Sequence, residues 1–171
     1  LPGLYVAATP IGNLGDISHR LRDILSSVDE VLCEDTRISG RLLQAMDIKA
    51  RLRPYHDHNG AEVRPAILSA LKDGGRLALI SDAGTPLISD PGYKLVAEAR
   101  AQGTAVFAVP GPSAVIAALS IAGVPTDRFS FLGFLPPKEG PRQKTLSEIA
   151  GRSETLSFMR RDRALGVCWQ M

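Results

Sequence analysis

Residues 76–92, RLALISDAGTPLISDPG, combine the two features that decide the fold. The first six residues have too few polar positions for a strand with one wet face, which predicts a strand buried on both sides in a parallel sheet. The rest is a tandem turn, in which the pattern I-S-D-x-G at 80–84 recurs at 88–92. A buried strand that runs directly into a polar, glycine-bearing loop is typical of the ligand-binding edge of an α/β sheet.

Short apolar runs and helical patterns alternate on both sides of this stretch. Predicted strands cover 4–8, 30–33, 76–81 and 105–109, and predicted helices cover 18–28, 38–46, 61–72, 91–102 and 112–123. Ser18 and Asp90 are expected to cap the first and fourth helices, with Pro91 at the first position of the fourth helix. The alternation indicates an α/β fold with a mainly parallel sheet and helices on both faces.

Four polar turns follow the predicted strands and are expected to meet at one edge of the sheet. They lie at 9–16, 34–37, 82–92 and 110–113. The turns match neither the phosphate-binding pattern GxxxxGK[ST] nor the dinucleotide pattern GxGxxG. Instead they carry carboxylates, at Asp16, Glu34, Asp35, Asp82 and Asp90. Such an edge disfavours a strongly anionic ligand and favours one with hydroxyls, an amine or a positive centre.

Several of these residues also have a purely structural interpretation. Asp90 fits a simple helix cap better than a ligand contact, whereas Asp82 precedes no obvious helix and fits a ligand contact better. A plain surface ion pair between Asp35 and Arg37 is an open alternative. The segment YHDHN at 55–59 holds two of the three histidines, and a solvated loop is the alternative to a functional one there.

Composition sets the broader limits. The chain has 171 residues, of which 44% are hydrophobic and 22% charged, as expected for one domain or one domain and part of a second. Its apolar stretches are too short for a membrane span, and its first residues do not resemble a signal peptide, so we expect a cytoplasmic protein with no membrane partner. Cys33 and Cys168 have neither metal-ligand nor disulfide spacing, and no metal site is predicted. The net charge of +2 is compatible with a nucleic-acid partner without requiring one.

Five segments together resemble the tetrapyrrole methylase-like methyltransferases. They are LYVAATPIGNLGDIS (4–18), CEDTR (33–37), YHDHN (55–59), LISDAGTPLISDPG (79–92) and VPGPSAVIAALSIAGVPTDRFSFLGFLPPK (109–138). The resemblance runs from about Leu4 to Thr155 and is strongest to the branch that 2'-O-methylates a cytidine of small-subunit ribosomal RNA. It implies a two-domain enzyme that binds S-adenosylmethionine in the cleft between an N-terminal α/β domain and a second α/β domain.

The resemblance also implies roles for individual residues. The expected cofactor-binding residues are Pro10, Ile11, Asp82, Gly84, Thr85, Gly111, Ser113 and Ala114. Methyl transfer to a ribose hydroxyl needs that oxygen in line with the sulfonium methyl group and a group that accepts its proton. The candidates for this base are Glu34, Asp35 and His56, and Arg37 and Asn59 are expected to contact the RNA or to orient a carboxylate.

The expected domain organisation is an N-terminal domain at 1–125, followed at 126–171 by a linker and an incomplete C-terminal domain. The family's second domain continues for roughly another hundred residues, and the stretch from 157, SFMRRDRALGVCWQM, departs from the family pattern. We therefore expect a truncated form with feeble cofactor affinity and a poorly ordered end. The apolar segment FSFLGFL at 129–135 would then favour a homodimer.

The expected partner is small-subunit ribosomal RNA or the small ribosomal subunit. Two alternatives stay open. One is a methyltransferase of the same family that acts on a tetrapyrrole or a diphthamide precursor, and the other is a folded fragment without catalytic activity.

Overall fold

A computed structural model describes residues 1–159 and 165–168 of the chain. The chain forms two compact units that divide after Pro112. The sequence predicts the division at about residue 125. The structure instead groups the intervening helix with the second unit, because it lies against that unit's strands.

The first unit is built on a five-stranded parallel sheet in the order β3-β2-β4-β1-β5. Its strands are β1 (Gly3–Ala7), β2 (Glu30–Cys33), β3 (Leu52–Pro54), β4 (Arg76–Leu79) and β5 (Val106–Val109). Leu4 in β1, which lies between β4 and β5, pairs with Leu77 on one side and Val106 on the other. The predicted α/β fold with a mainly parallel sheet is confirmed. Strand β3 was not predicted, because its three residues contain an arginine and a proline and form no apolar run.

Helices cover both faces of this sheet, as the sequence predicted. They are α1 (His19–Ser27), α2 (Thr36–Ala45), α3 (Gly60–Lys72) and α4 (Tyr93–Ala101). Alternate strand residues point to opposite faces. Val31 and Cys33 accordingly pack with Leu25 of α1 in one core cluster. Leu32, between them in sequence, packs with Leu95 of α4 in the other.

Helix α1 begins as the sequence predicted, whereas α2 and α4 each begin two residues away from their predicted starts. Ser18 caps α1 as predicted, and its hydroxyl accepts a hydrogen bond from the Leu21 N–H at 3.0 Å. Helix α2 begins two residues before its predicted start because Asp35 is its N-cap. The prediction that Asp90 caps α4 is wrong, since Gly92 is the N-cap there.

Gly92 explains why α4 begins late. Its φ of +131° is a conformation that L side chains rarely adopt, and a Cβ there would lie 2.7 Å from Cδ2 of Leu79. The chain therefore completes its turn at this glycine before the helix can start. Pro91 consequently lies before the helix and not at its first position.

A buried carboxylate fixes the outer edge of the sheet at β3. Glu30 in β2 is 7% exposed. Its carboxylate oxygens form ion pairs with Nε of Arg51, at 3.0 Å, and Nε of Arg53, at 2.8 Å. A buried charge is strongly unfavourable unless it is paired. This ion triad therefore holds the short, polar strand β3 against β2.

The second unit contains a small mixed sheet in the order β6-β7-β8. Its elements are α5 (Ala114–Ile121), β6 (Phe129–Phe134), α6 (Glu139–Ile149), β7 (Thr155–Met159) and β8 (Leu165–Cys168). Strand β6 runs parallel to β7, and β8 runs antiparallel to it. The chain thus continues as a regular strand through Ser157, where sequence analysis placed the start of an anomalous tail. The poorly ordered end that the sequence predicts includes residues 160–164 and 169–171, which lie outside the described residues.

No helix in the part of the chain that the structure describes is both long enough and apolar enough to cross a bilayer.

Replacement of Leu4 by alanine tests the burial of β1 between β4 and β5. Leu4 is 0% exposed, and Leu4→Ala should lower the free energy of unfolding by about 2 to 5 kcal/mol because it leaves a cavity in the core. Urea denaturation measures this loss. Leu1→Ala is the matched control, since Leu1 is 84% exposed and should change stability by under about 0.5 kcal/mol. Similar losses in both variants would contradict the described core.

Candidate functional site

Two backbone hydrogen bonds join the loops that follow the adjacent strands β1 and β4. The Thr9 N–H donates to the Gly84 carbonyl at 2.9 Å, and the Gly84 N–H donates to the Thr9 carbonyl at 3.1 Å. Thr9 is 0% exposed. Its hydroxyl donates a hydrogen bond to the Ser81 carbonyl at 3.2 Å. The loops after β1 and β4 therefore form one connected edge.

Close approach at two glycines brings further loop segments to this edge. A Cβ on Gly84, whose φ is +79°, would lie 3.3 Å from Cγ2 of Ile11. A Cβ on Gly111, in the loop after β5, would lie 3.1 Å from the Cβ of Ala8. The Thr85 hydroxyl donates to the Pro112 carbonyl at 3.1 Å, which links the loops after β4 and β5.

The structure thus brings together six residues that the sequence predicted for the cofactor. They lie in the loops after β1, β4 and β5, and they are Pro10, Ile11, Asp82, Gly84, Thr85 and Gly111. Ser113 and Ala114 belong to the second unit, in which Ser113 caps α5. Their part in a cofactor site stays a prediction.

Asp82 connects this edge to the loop after β2. Its Oδ1 accepts a hydrogen bond from the Asp35 N–H at 3.2 Å, across 47 positions of sequence. The half-buried carboxylate therefore orders neighbouring loops in addition to any contact with a ligand.

Asp35 and Arg37 form the ion pair that sequence analysis left open. The carboxylate accepts the Arg37 backbone N–H at 2.8 Å and its guanidinium group at 3.0 Å and 2.6 Å. Hydrogen bonds from the Arg37 side chain and backbone hold the pKa of Asp35 well below its usual range. A carboxylate held so firmly in its charged form is a weak proton acceptor at neutral pH.

Asp90 is the residue whose environment the sequence did not predict. Burial and the neighbouring charges of Glu34 and Asp82 raise its pKa to about 6, against a weaker opposing effect of a hydrogen bond with Ser81. The preceding loop contains two non-glycine residues in the left-handed region, Leu87 at φ +72° and Ser89 at φ +63°. Because such conformations are strained, the surrounding structure must hold them. The repeated I-S-D-x-G pattern was the one signal in the sequence that paired Asp90 with Asp82.

The YHDHN segment is a hydrogen-bonded turn in which Asp57 and His58 are exposed to solvent. The Asn59 side chain accepts the His56 N–H at 2.9 Å and donates to the Pro54 carbonyl at 3.0 Å. His56 Nδ1 accepts the Asn59 N–H at 3.3 Å, so the neutral ring carries its proton on Nε2. Tyr55 is 3% exposed and anchors the turn in the core.

Strand order separates the predicted residues into two groups. The predicted cofactor residues of the first unit follow β4, β1 and β5, which are adjacent. The residues predicted for catalysis and RNA contact follow β2 and β3, which lie on the other side of β4 in the strand order. They are Glu34, Asp35, His56, Arg37 and Asn59. Among the described residues, no group of three or more His, Cys, Asp or Glu side chains could hold a metal ion.

The first unit is an α/β fold whose connected loops lie where its parallel strands end. Among solved structures, a crystal structure of diphthine synthase matches with a TM-score of 0.70 at 15% identity, covering 94% of this chain and 64% of that chain. At this identity, the match shows the fold alone. The family model of the tetrapyrrole (corrin/porphyrin) methylases matches residues 3–170, and the chain belongs to that family.

Curated relatives are much closer in sequence. The protein named ribosomal RNA small subunit methyltransferase I from Mesorhizobium japonicum is 50% identical over 164 residues, which is 96% of this chain and 56% of that protein. The protein of the same name from Vibrio cholerae serotype O1 is 51% identical over 157 residues, which is 92% of this chain and 54% of that protein. The chain therefore spans about half the length of these relatives.

Replacement of Asp90 by asparagine tests its half-buried position. The folded-state pKa is about 6 and the ordinary value is 3.8, so the stability contributed by the neutral form is fully present below about pH 4 and is lost as the pH rises through about 6. The amide in Asp90→Asn does not ionise and avoids this loss. The variant should gain about 1 to 2 kcal/mol relative to the original chain between about pH 4 and 7.5, after allowance for solvent screening.

Thermal or urea unfolding across this pH range measures the difference. Asp23→Asn on the exposed face of α1 is the control and should show no such trend. A stability difference for Asp90→Asn that is constant from about pH 4 to 7.5 would show that Asp90 is not in the described environment.

Proposed function

We propose that this protein transfers a methyl group from S-adenosylmethionine to the 2'-hydroxyl of a cytidine in small-subunit ribosomal RNA. The observation that carries the proposal is the identity of about half of all aligned positions with relatives named ribosomal RNA small subunit methyltransferase I, over more than nine-tenths of this chain. The connected loops at the sheet edge supply a place where the chemistry fits.

The cofactor suits the edge formed by the loops after β1, β4 and β5. S-adenosylmethionine has a positive sulfonium, an amino-acid tail and ribose hydroxyls, which match carboxylates and exposed backbone groups better than a phosphate would. Asp82 supplies a carboxylate, and Gly84 and Gly111 let the backbone approach closely. Pro10, Ile11 and Thr85 complete the proposed wall in this unit, and Ser113 and Ala114 are proposed to extend it.

The second group of residues suits the acceptor hydroxyl and its RNA. Of the three proposed bases, Asp35 is held in an ion pair with Arg37, and His56 uses Nδ1 to accept a backbone hydrogen bond. Glu34 is exposed at the same edge and close enough to influence Asp90 electrostatically. These contacts favour Glu34 as the base.

Arg37 and Asn59 are proposed to contact the RNA. The Arg37 side chain is 85% exposed although it is paired with Asp35, so it can reach a phosphate while keeping that pair. The proposed partner is the small ribosomal subunit or its RNA, with a homodimer as the assembly and the cytoplasm as the location. The tetrapyrrole and diphthamide alternatives have weaker support, because the relevant structural matches are below 25% identity.

Asp82→Ala tests the cofactor site. The loss of a hydrogen bond to a charged group should weaken binding of S-adenosylhomocysteine by about 1 to 3 kcal/mol in calorimetry. Asp73→Ala is the matched control. Asp73 follows α3 and precedes β4, so it lies at the amino ends of the strands, away from the predicted cofactor loops. Unchanged affinity in Asp82→Ala, with the thermal unfolding temperature of both variants measured in parallel, would remove Asp82 from the site.

Glu34→Gln tests the proposed base. Methyl transfer to small ribosomal subunits should fall on the order of a hundredfold or more while affinity for S-adenosylhomocysteine stays the same. Glu62→Gln, at an exposed position in the first turn of α3, is the control. Equal losses of rate and cofactor affinity in Glu34→Gln would assign Glu34 a structural role, and the same comparison applied to Asp35→Asn and His56→Ala tests the other two candidates.

A further inference from the structure

Tyr93 at the start of α4 is an aromatic residue that the fold leaves in solvent. It is 66% exposed, whereas Tyr5 and Tyr55 are 7% and 3% exposed. Within the part of the chain that the structure describes, no other aromatic side chain is as exposed, the nearest being Phe134 at 44% and Phe129 at 40%. A large exposed ring contributes little to folding, so its position must be judged by what surrounds it.

The surroundings of Tyr93 are polar and belong to the YHDHN turn and α3. Tyr93 and Lys94 line a cavity of about 70 Å³ together with His56, Asp57 and Arg64. A water molecule takes up roughly 30 Å³ in the liquid, so this cavity accommodates a small polar group and not a nucleoside. A base that contacts Tyr93 must therefore lie on the exposed ring, outside the cavity.

The cations at this cavity differ in how firmly they are held. The Arg64 side chain is 15% exposed and contacts Glu98 at 2.8 Å, and a hydrogen bond with Tyr55 raises its pKa further. Its charge is thus committed to holding the turn against α3 and α4. Lys94 is exposed, as Tyr93 is, and the two residues line the same cavity at the surface.

Tyr93 and Lys94 are also close in sequence to the proposed acceptor side of the edge. Asp90, three positions before Tyr93, is near enough to Glu34 for the two charges to interact. An exposed ring beside a cation is the combination that binds single-stranded nucleic acid, since a base stacks on the ring and a phosphate pairs with the cation.

We infer that Tyr93 and Lys94 form a nucleotide-binding ledge for the RNA substrate, in which Tyr93 stacks on an unpaired base close to the methylated nucleotide and Lys94 pairs with an adjacent phosphate. This inference rests on the proposed function and adds a specific place where the RNA is held. The ledge binds RNA and takes no part in holding the cofactor.

Binding of a fluorescent single-stranded cytidine-rich RNA of roughly ten nucleotides, in the presence of S-adenosylhomocysteine, tests the ledge. Fluorescence anisotropy should show about tenfold weaker binding for Tyr93→Ala and near-original binding for Tyr93→Phe, which keeps the ring. Lys94→Ala should weaken binding. It should also reduce the slope of log affinity against log salt concentration by about one. Arg100→Ala, which removes a cation from the last turn of the same helix, is the matched control and should change neither quantity.

The outcomes separate this inference from the proposed function. If the original protein methylates small ribosomal subunits and Tyr93→Ala binds RNA as tightly as the original, the ledge is excluded and the proposed function stands. An equal loss in Arg100→Ala would also exclude the ledge, because binding would then follow net charge alone. If the original protein binds S-adenosylhomocysteine but neither binds RNA nor methylates the subunits, both proposals are overturned.

Discussion

The pair of backbone hydrogen bonds between Thr9 and Gly84 is the constraint on which the candidate site depends. Strands β1 and β4 are parallel neighbours, so their loops leave the sheet at the same edge, but parallel pairing alone does not fix where those loops go. The two bonds continue the contact between the strands beyond their ends, and the buried Thr9 hydroxyl reinforces it. The Ile11 side chain thereby lies so near Gly84 that a Cβ on this glycine would come within 3.3 Å of it.

Several polar residues at this edge have two roles. Asp82 is placed to meet a ligand, yet it also accepts the Asp35 N–H and so links the loops after β2 and β4. Asp35 in turn caps α2 and pairs with Arg37. Substitutions along this chain of contacts will alter loop order as well as ligand binding, which is why measured stability has to accompany each measured affinity.

Much of the fold followed from local signals. The buried strands have continuous apolar runs, and Ser18 precedes a helical pattern as a cap should. Strand β3 gave no such signal, because its place is fixed by long-range pairing of Arg51 and Arg53 with Glu30. In the site, loop positions predicted the edge correctly, whereas Asp90 carried the local pattern of a helix cap. Its actual environment depends on Glu34 and Asp82, which lie elsewhere in the chain.

The construction of β3 also bears on self-association through the sheet. The Arg51 carbonyl and the Tyr55 N–H bond to β2, so in the alternating pattern of a strand the backbone of Leu52 and Pro54 faces outward. Proline has no N–H, which leaves one amide donor on the outer side of a three-residue strand, beside two arginine side chains. A strand from another molecule could form few backbone hydrogen bonds with β3. It would also have to bury positive charge. The β3 edge of this sheet is therefore a poor template for intermolecular β-structure.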